Sequence, residues 1–543
     1  MTSHGEPKLR VLIVTENFLP KVDGVTRTLS RLLEHLQAQG HEALLLGPHS
    51  DISTYAGHDV LGAEYCVPLW FYPGLSLNFF RREFLRRAQA FDPDVIHYVD
   101  PIWLSAQAQP ILEYALPDCA AVASYHTNLA RYARDYGFGW LAEVMWTLQR
   151  RLHGRCIATF CPSNSTRTML FSNAFENVRI WPRGINMSLF SPSHRSAEMR
   201  EKWFAKSKTS RRSEEGIVIT YVGRLSSEKN IDLLINSFIR LNEVLQASKT
   251  DGPPCQLVLV GDGPARSRLE EQTKDLDVTF MGYQKGQDLA ACYASSDIFA
   301  FPSHSETFGN VVLEAMASGL PVVGLKAEGV CDLVESGKTG FLLDLESLPG
   351  AQMTKGACGI PSNVQDLFDT KTESFRIAVD GFTQLLLALV LKPDLRRNMS
   401  EAALAYASTR TWDGAMECLM EGYREAASIT RRKRTEKLFS TLSRTPSTAS
   451  LLDVKIEEPP FIDSDEKDNA GEPAGSSSAR LLFGRPPVKA LLRRSTRAAL
   501  KESISHRFRS TLKREYVVTG RHRPESTSGI YLATTRWLHC IQL

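Results

Sequence analysis

Ser305-Glu306-Thr307-Phe308-Gly309-Asn310-Val311-Val312-Leu313-Glu314-Ala315 sets two carboxylates eight positions apart, the first on a turn and the second inside a helical pattern. An apolar strand, Asp297-Ile298-Phe299-Ala300-Phe301, comes before it and stops at Pro302. The run from Val311 to Ala317 predicts a helix, closed by Gly319 and Pro321. A turn feeding a helix N-terminus at the carboxyl end of a parallel strand is where open α/β folds take anionic ligands. Two acids there would repel a bare phosphate. They suit a ligand that also carries hydroxyls, a sugar or a ribose. The plainer reading puts Glu306 beside a helix N-cap and Glu314 on a solvated face, and spacing alone does not separate the two.

The same strand-turn-helix rhythm runs outward in both directions. Strands are predicted at 10–15, 42–46, 94–98, 120–124, 157–161 and 178–181, with helical patterns between them such as 26–39 and 140–153. A second series starts at Ile217-Val218-Ile219-Thr220-Tyr221-Val222-Gly223 and continues at 256–260, 278–281, 298–301 and 322–324. Such alternation implies βαβ units and parallel sheets. The expected fold is therefore α/β, with two Rossmann-like doubly wound domains facing a central cleft. The first spans 9–190 and the second 216–428, joined by a polar, basic linker over 191–215. A Gly-, Ser- and Asn-rich stretch from 350 to about 375 reads as an insertion or a long surface loop. From 429 to 543 a basic knot (Arg431-Arg432-Lys433-Arg434), a Ser/Thr-rich stretch and an acidic one predict a largely disordered tail. Within that tail, 486–516 reads either as disordered or as a basic membrane-surface helix.

With 543 residues, 43% hydrophobic, the chain can bury more than one core. A net charge of only +3 argues against nucleic acid as a partner. The ten cysteines are scattered, without a Cys-x-x-Cys pair, which suits reduced thiols in a cytoplasmic compartment. The first residues lack a signal-peptide core and no apolar run reaches about 18 residues, so a soluble protein or one peripheral to a membrane is expected.

Several strand ends carry the chemistry. Gly223-Arg224-Leu225-Ser226-Ser227-Glu228-Lys229 follows the first strand of the second series. Gly223 permits close approach of backbone to ligand, and Arg224 and Lys229 place two cations there, suited to a pyrophosphate. Gly261-Asp262-Gly263-Pro264 gives a second tight approach at the next strand end. In the first domain, Gly24 of Lys21-Val22-Asp23-Gly24 would expose amides to the cleft. Ser124-Tyr125-His126-Thr127 puts His126 at the crevice. Asp92-Pro93-Asp94 lies at the opposite end of its strand and reads as a loop, not a metal site.

Taken in order, these motifs resemble the family 4 retaining glycosyltransferases, of GT-B architecture, over about residues 9–425. The carriers are the Gly24 loop, Pro93-Asp94-Val95-Ile96-His97, Tyr125-His126, Gly223-Arg224 with Glu228-Lys229, Gly261-Asp262-Gly263-Pro264, and Glu306-x7-Glu314 with Ala317-x-Gly319-x-Pro321. Ser124-Tyr125-His126-Thr127 and Trp181-Pro182-Arg183-Gly184-Ile185-Asn186 are most similar to the glycolipid-forming branch, the sulfoquinovosyl-, mannosyl- and glucosyl-diacylglycerol synthases. Where many members have two glycines, the first-domain loop has Asp23-Gly24. The resemblance implies that Arg224 and Lys229 grip the donor diphosphate, Glu314 the ribose and Glu306 a sugar hydroxyl. Amides around Phe308, Gly309, Asn310 and Val311, with Gly24, Gly223 and Gly263, would complete the donor site. His126 would contact the sugar near the reacting carbon. It further implies a retaining, metal-independent hexosyl transfer from a UDP- or GDP-linked sugar, with no other cofactor. No carboxylate on the opposite face stands out as a double-displacement nucleophile, so front-face attack is the more economical expectation.

The implied acceptor is a lipid or other hydrophobic molecule. Trp70-Phe71-Tyr72-Pro73-Gly74-Leu75 and Phe79-Phe80-Arg81-Arg82, with Arg86, Arg87, Arg150, Arg151 and Arg155, suit an anionic membrane surface on its cytosolic face. Those aromatics equally suit covering the first domain's core. Two alternatives stay open: a glycosyltransferase for a soluble saccharide or secondary metabolite, and a non-catalytic nucleotide-sugar-binding protein.

Overall fold

Alternating apolar residues build the first sheet from within. In β1 (Arg10–Thr15), Val11 and Ile13 face one layer and Leu12 and Val14 the other, and all four are fully buried. The computed structural model describes residues 7–442 apart from 22, 69–75, 136–138, 206–215, 248–251, 350 and 352–367. The other strands are β2 (Glu42–Gly47), β3 (Thr54–Tyr55), β4 (His58–Gly62), β5 (Cys66–Pro68), β6 (Ser76–Asn78), β7 (Val95–Val99), β8 (Ala120–Ser124), β9 (Ala158–Cys161) and β10 (Val178–Ile180). The second series holds β11 (Ile217–Val222), β12 (Cys255–Val260), β13 (Val278–Gly282), β14 (Ile298–Phe301), β15 (Val322–Leu325) and β16 (Gly340–Leu343).

The first sheet runs β10-β9-β8-β7-β1-β2-β4-β3 and the second β13-β12-β11-β14-β15-β16. All pairings are parallel except β3 with β4 and the separate β5–β6 hairpin. Among the parallel strands the order reverses between β1 and β7 in the first sheet and between β11 and β14 in the second. Ligands of doubly wound sheets bind outside the carboxyl ends of strands at such points. Two α/β layers with two crevices answer the expected architecture.

Three expectations are corrected. The stretch 191–215 is not a plain linker. The helix Ala197–Phe204 buries Trp203 and Phe204 in the second core, and Arg200 pairs with Asp297 at 2.8 Å. Its apolar face was too short to outweigh the polar composition around it. The second domain also does not run unbroken to 428. The helix Trp412–Leu442 returns to the first sheet, where Met416, Leu419, Met420 and Tyr423 share a core with the helix Gly24–Ala38. That helix continues through the basic knot, so the ordered chain passes 429; Arg431 and Arg434 face Asp94 and Asp118 at 3.5 and 3.4 Å. Apart from these corrections, the helix Glu373–Leu391 is long and apolar enough to cross a membrane by length and composition. Its Phe382, Leu386 and Leu389 are fully buried in the second core. Expectations for the tail beyond 442, for 70–75 and for most of the stretch after 350 lie outside the described residues.

Candidate active site

The second-domain wall begins where two strand ends interlock. The N–H of Gly223 donates to Val260 O at 3.0 Å, that of Leu225 to Asp262 O at 2.9 Å, and that of Ala265 to Leu225 O at 2.9 Å. A Cβ on Gly263 would lie 2.4 Å from Leu225 O, so this glycine serves the packing of the two loops and does not open on the cleft. Arg224 projects from the interlocked pair with an exposed side chain, its carbonyl held by the Tyr221 hydroxyl at 3.0 Å.

Beside it, the turn after β14 leads through Gly309, at φ 91°, into the helix Asn310–Ala317. A positive φ there favours glycine and lets the chain turn sharply into the helix. Glu314 falls on the inward face of that helix and is 4% exposed. Its Oε2 accepts the Tyr293 hydroxyl at 3.0 Å and its Oε1 accepts Arg27 at 2.8 Å from the opposite domain. Burial raises the Glu314 pKa, while Arg27 and Tyr293 pull it back. The carboxylate predicted for a ribose is thus occupied by a first-domain arginine. Lys229 forms a close ion pair with Glu306 and lies 3.5 Å from Ser303 Oγ. The predicted diphosphate cation and the predicted sugar acid are direct partners.

A cavity of about 860 Å³ separates the walls, within the range of small-molecule sites. Gly24, His126, Arg224, Glu306, Phe308, Gly309 and Asn310 line it. Gly223, Lys229, Gly263, Val311 and Glu314 are not among its lining residues. Gly24 opens the helix Gly24–Ala38, N-capped by Asp23, and a Cβ there would stand 3.1 Å from the Asn310 side-chain nitrogen. The domains also touch directly: Ser163 and Thr166 donate to Thr307 O at 2.9 and 3.1 Å, and Thr307 Oγ1 to His126 O at 2.8 Å.

His126 is fastened on both ring nitrogens. Arg183 donates to Nδ1 at 3.0 Å; a guanidinium has only donors, so Nδ1 accepts and the hydrogen sits on Nε2. Nε2–H then meets Ser124 Oγ at 2.8 Å, the serine hydroxyl donates to His97 Nε2 at 2.8 Å, and His97 Nδ1–H reaches Tyr423 Oη at 2.7 Å. The relay links the cavity to the returning C-terminal helix. Burial pushes His126 well below the usual imidazole range and His97 down to about 3, with Arg183 adding to both. The imidazole expected to touch the sugar offers neither nitrogen to a ligand in this arrangement.

These neutral histidines carry a pH signature. An unfolded histidine takes a proton near pH 6.5, whereas His97 does so near 3, so the unfolded state binds more protons between the two. Stability from His97 is present above pH 6.5 and lost as pH falls. Between pH 7 and 5 wild type should lose about 2 kcal/mol more than His97→Gln in urea unfolding. Equal losses would show that His97 is not held neutral.

The sequence reading missed much of the first-domain wall. It found no carboxylate there, yet Glu16 and Asp100 line the cavity at the ends of β1 and β7, the reversal point of the first sheet. Glu16 accepts the N–H groups of Leu104 and Ser105, and burial raises it to about 7; Asp100 is raised to about 6. Their signal was the same strand-end rule that found His126. Arg27, Arg131 and Glu328 had no local signal, and Arg183 stood in the Trp181–Asn186 motif without a role assigned to it. Among the expected membrane residues, Phe79 packs edge-on against Trp103, Phe80 against Phe84, and Arg81 pairs with Glu64, so these cover the first domain.

A family described as glycosyltransferase family 4 matches residues 22–189, and one described as glycosyl transferases group 1 matches 202–348. The chain is 33% identical over 354 residues to a GDP-mannose-dependent alpha-mannosyltransferase of Corynebacterium glutamicum, covering 63% of this chain and 79% of that one. It is 31% identical over 350 residues to a sulfoquinovosyl transferase of Arabidopsis thaliana, covering 63% and 65% of the two. Among solved structures, sucrose-phosphate synthase of Thermosynechococcus elongatus superposes with a TM-score of 0.56 at 17% identity, over 78% of this chain and all of that one, a likeness of fold.

Proposed function

The chain belongs to the family 4 retaining glycosyltransferases, hexosyltransferases of GT-B architecture, and from that premise we propose that it moves a hexose from a UDP- or GDP-linked sugar to a diacylglycerol-like lipid. The observation that carries this reading is one cavity with two unlike walls. Arg224 and the Glu306–Asn310 turn stand on the second-domain side, and Leu77, Ile102, Trp103, Leu129 and Leu141 add apolar surface on the first. The alpha-monoglucosyldiacylglycerol synthase of Acholeplasma laidlawii, 24% identical over 356 residues, supports this acceptor class by name, and the GDP-mannose-dependent relative supports the donor class.

In this reading Arg224 and Lys229, with the amides at the N-terminus of the helix Asn310–Ala317, stabilise charge on the departing diphosphate. Glu306 holds a sugar hydroxyl. Glu314 holds the ribose once Arg27 gives way. Amides near Phe308 and Gly309 and the Gly24 turn close around the donor, and His126 shapes the sugar pocket through its ring edge and carbonyl. No cofactor beyond the nucleotide sugar enters. Glu314→Gln is then expected to raise the nucleotide Kd about tenfold, about 1.4 kcal/mol, in a thermal-shift titration; an unchanged Kd would move the ribose elsewhere.

Work at the cytosolic face of a membrane fits the eight described cysteines, all free. It also fits the helix Gly139–His153, which exposes Trp140 and Val144 and ends in Arg150 and Arg151. The test is incubation with UDP- and GDP-hexoses and diacylglycerol in mixed micelles, reading glycolipid with the donor's anomeric configuration. Glycosylation of soluble sugars with no lipid product would overturn the lipid acceptor.

A further inference from the structure

Arg183 is a buried cation without a counter-ion. It is 4% exposed, and burial pulls its guanidinium down to about 9, so the charge is kept at neutral pH. Nη1 donates to the carbonyls of Trp181 at 2.6 Å and Pro182 at 3.2 Å, and Nη2 to His126 Nδ1 at 3.0 Å. The guanidinium also lies 4.5 Å over the Trp181 ring. All of these partners are neutral. A guanidinium carries five N–H groups, and the one on Nε and the second on Nη2 meet no acceptor among the described residues. Taking a charge out of water with no opposite charge beside it is costly. Arg183 nevertheless lines the central cavity.

The other charges around the cavity have partners within the protein. Lys21 meets Asp23 at 3.3 Å, Lys229 is joined to Glu306, and Arg131 acts on Glu328. Glu16 and Asp100 accept backbone N–H groups. Two cations, Arg224 and Arg183, are left for a ligand to answer. Arg224 stands at the mouth of β11, where the diphosphate is read. Arg183 stands on the first-domain side, bonded to the ring of His126, whose carbonyl takes the Thr307 hydroxyl at 2.8 Å. Thr307 follows Glu306, the residue read as holding a sugar hydroxyl, which puts Arg183 on the sugar side. An anionic acceptor would instead meet Glu16, Asp23 and Asp100 along the first-domain wall. Resting on the glycosyltransferase reading, we propose that Arg183 binds an acidic group, a carboxylate or a sulfonate, on the exocyclic carbon of the transferred hexose. That carbon lies outside the ring, so it bears an acid while every ring hydroxyl stays in place. Charge-assisted hydrogen bonds from a guanidinium suit such an oxyanion. The donor class is thus a nucleotide-linked hexuronate or sulfohexose, in preference to a neutral hexose.

The experiment measures Kd by titration calorimetry on the full chain, for wild type and for Arg183→Gln, which keeps a donor and loses the charge. The ligands are UDP, UDP-glucose, UDP-glucuronate and UDP-6-deoxy-6-sulfoglucose, with GDP, GDP-mannose and GDP-mannuronate as the second series. Wild type should bind at least one acidic donor about tenfold tighter than its neutral parent. That preference should vanish in Arg183→Gln, while the free nucleotide diphosphate binds equally to both proteins. Preference for the carboxylate alone names a hexuronate, and for the sulfonate alone a sulfohexose. Neutral donors held by wild type as tightly as acidic ones would overturn the proposal, a result that stands even where Arg183→Gln fails to fold. Loss of free nucleotide diphosphate binding in folded Arg183→Gln would give Arg183 to the diphosphate, and would also overturn it. Binding of no nucleotide or nucleotide sugar by wild type would sink the glycosyltransferase reading itself, and the proposal with it.

Discussion

Arg224→Ala is expected to lower turnover about 10³-fold, about 4 kcal/mol of transition-state stabilisation, with the unfolding midpoint unchanged. Two features set this size. The side chain is exposed at the mouth of β11, in the cavity, and carries no ion pair among the described residues, so its loss removes no structural contact. Its neighbour Lys229 is tied to Glu306, which leaves Arg224 as the cation poised for a diphosphate before any rearrangement. Charge on that diphosphate grows as the sugar departs, so the missing guanidinium is felt most in the transition state, and kcat should fall more than KM rises. Steady-state kinetics with a UDP- or GDP-hexose settles it. Turnover within tenfold of wild type would place the phosphate contacts elsewhere.

The second large effect is on stability. Gly261→Ala is expected to cost about 3 kcal/mol or more in urea unfolding. A Cβ there would sit 1.9 Å from the carbonyl oxygen of Gly223 and 2.9 Å from its carbonyl carbon, at a φ of +139° that side chains rarely adopt. Neither side can yield cheaply. The Gly261 N–H is held by Gly282 O at 2.8 Å and the Gly223 N–H by Val260 O at 3.0 Å, so both backbones are fixed by the sheet. Relief would come only by parting the loops that carry Arg224, and residual folded protein should therefore also bind nucleotide weakly. A loss under about 1 kcal/mol would show that the two strand ends are not rigidly joined.

The cost at Gly261 illustrates how much was legible locally. Apolar runs broken by Gly and Pro marked both strand series, and the residues just past strand ends supplied Gly24, His126, Arg224 and Glu306, which share one cavity. Applied to every strand, the same rule would have flagged Glu16 after β1 and Asp100 after β7. The short strands β3 to β6 and the helix Ala197–Phe204 escaped because a few residues carry too little periodicity to stand out against polar neighbours. Gly263 had the right composition for a ligand loop, but its missing side chain is used up by Leu225 O.

Taken alone, the order of residues determined the α/β class, two parallel sheets and a donor-side inventory of cations, acids and tight turns. These are local properties, set by side-chain alternation and by what glycine and proline permit. Only the tertiary structure decided which of them meet. Arg27 reaches Glu314 across 287 positions, and Tyr423 ends a relay that begins at Arg183. The C-terminal helix closes the first domain's core, and Asp100 after β7 accepts the N–H groups of His126 and Thr127 after β8. Such pairings depend on how two sheets and a returning helix are set against each other. That placement comes from burying cores made of residues far apart in the chain, and no spacing between neighbours encodes it.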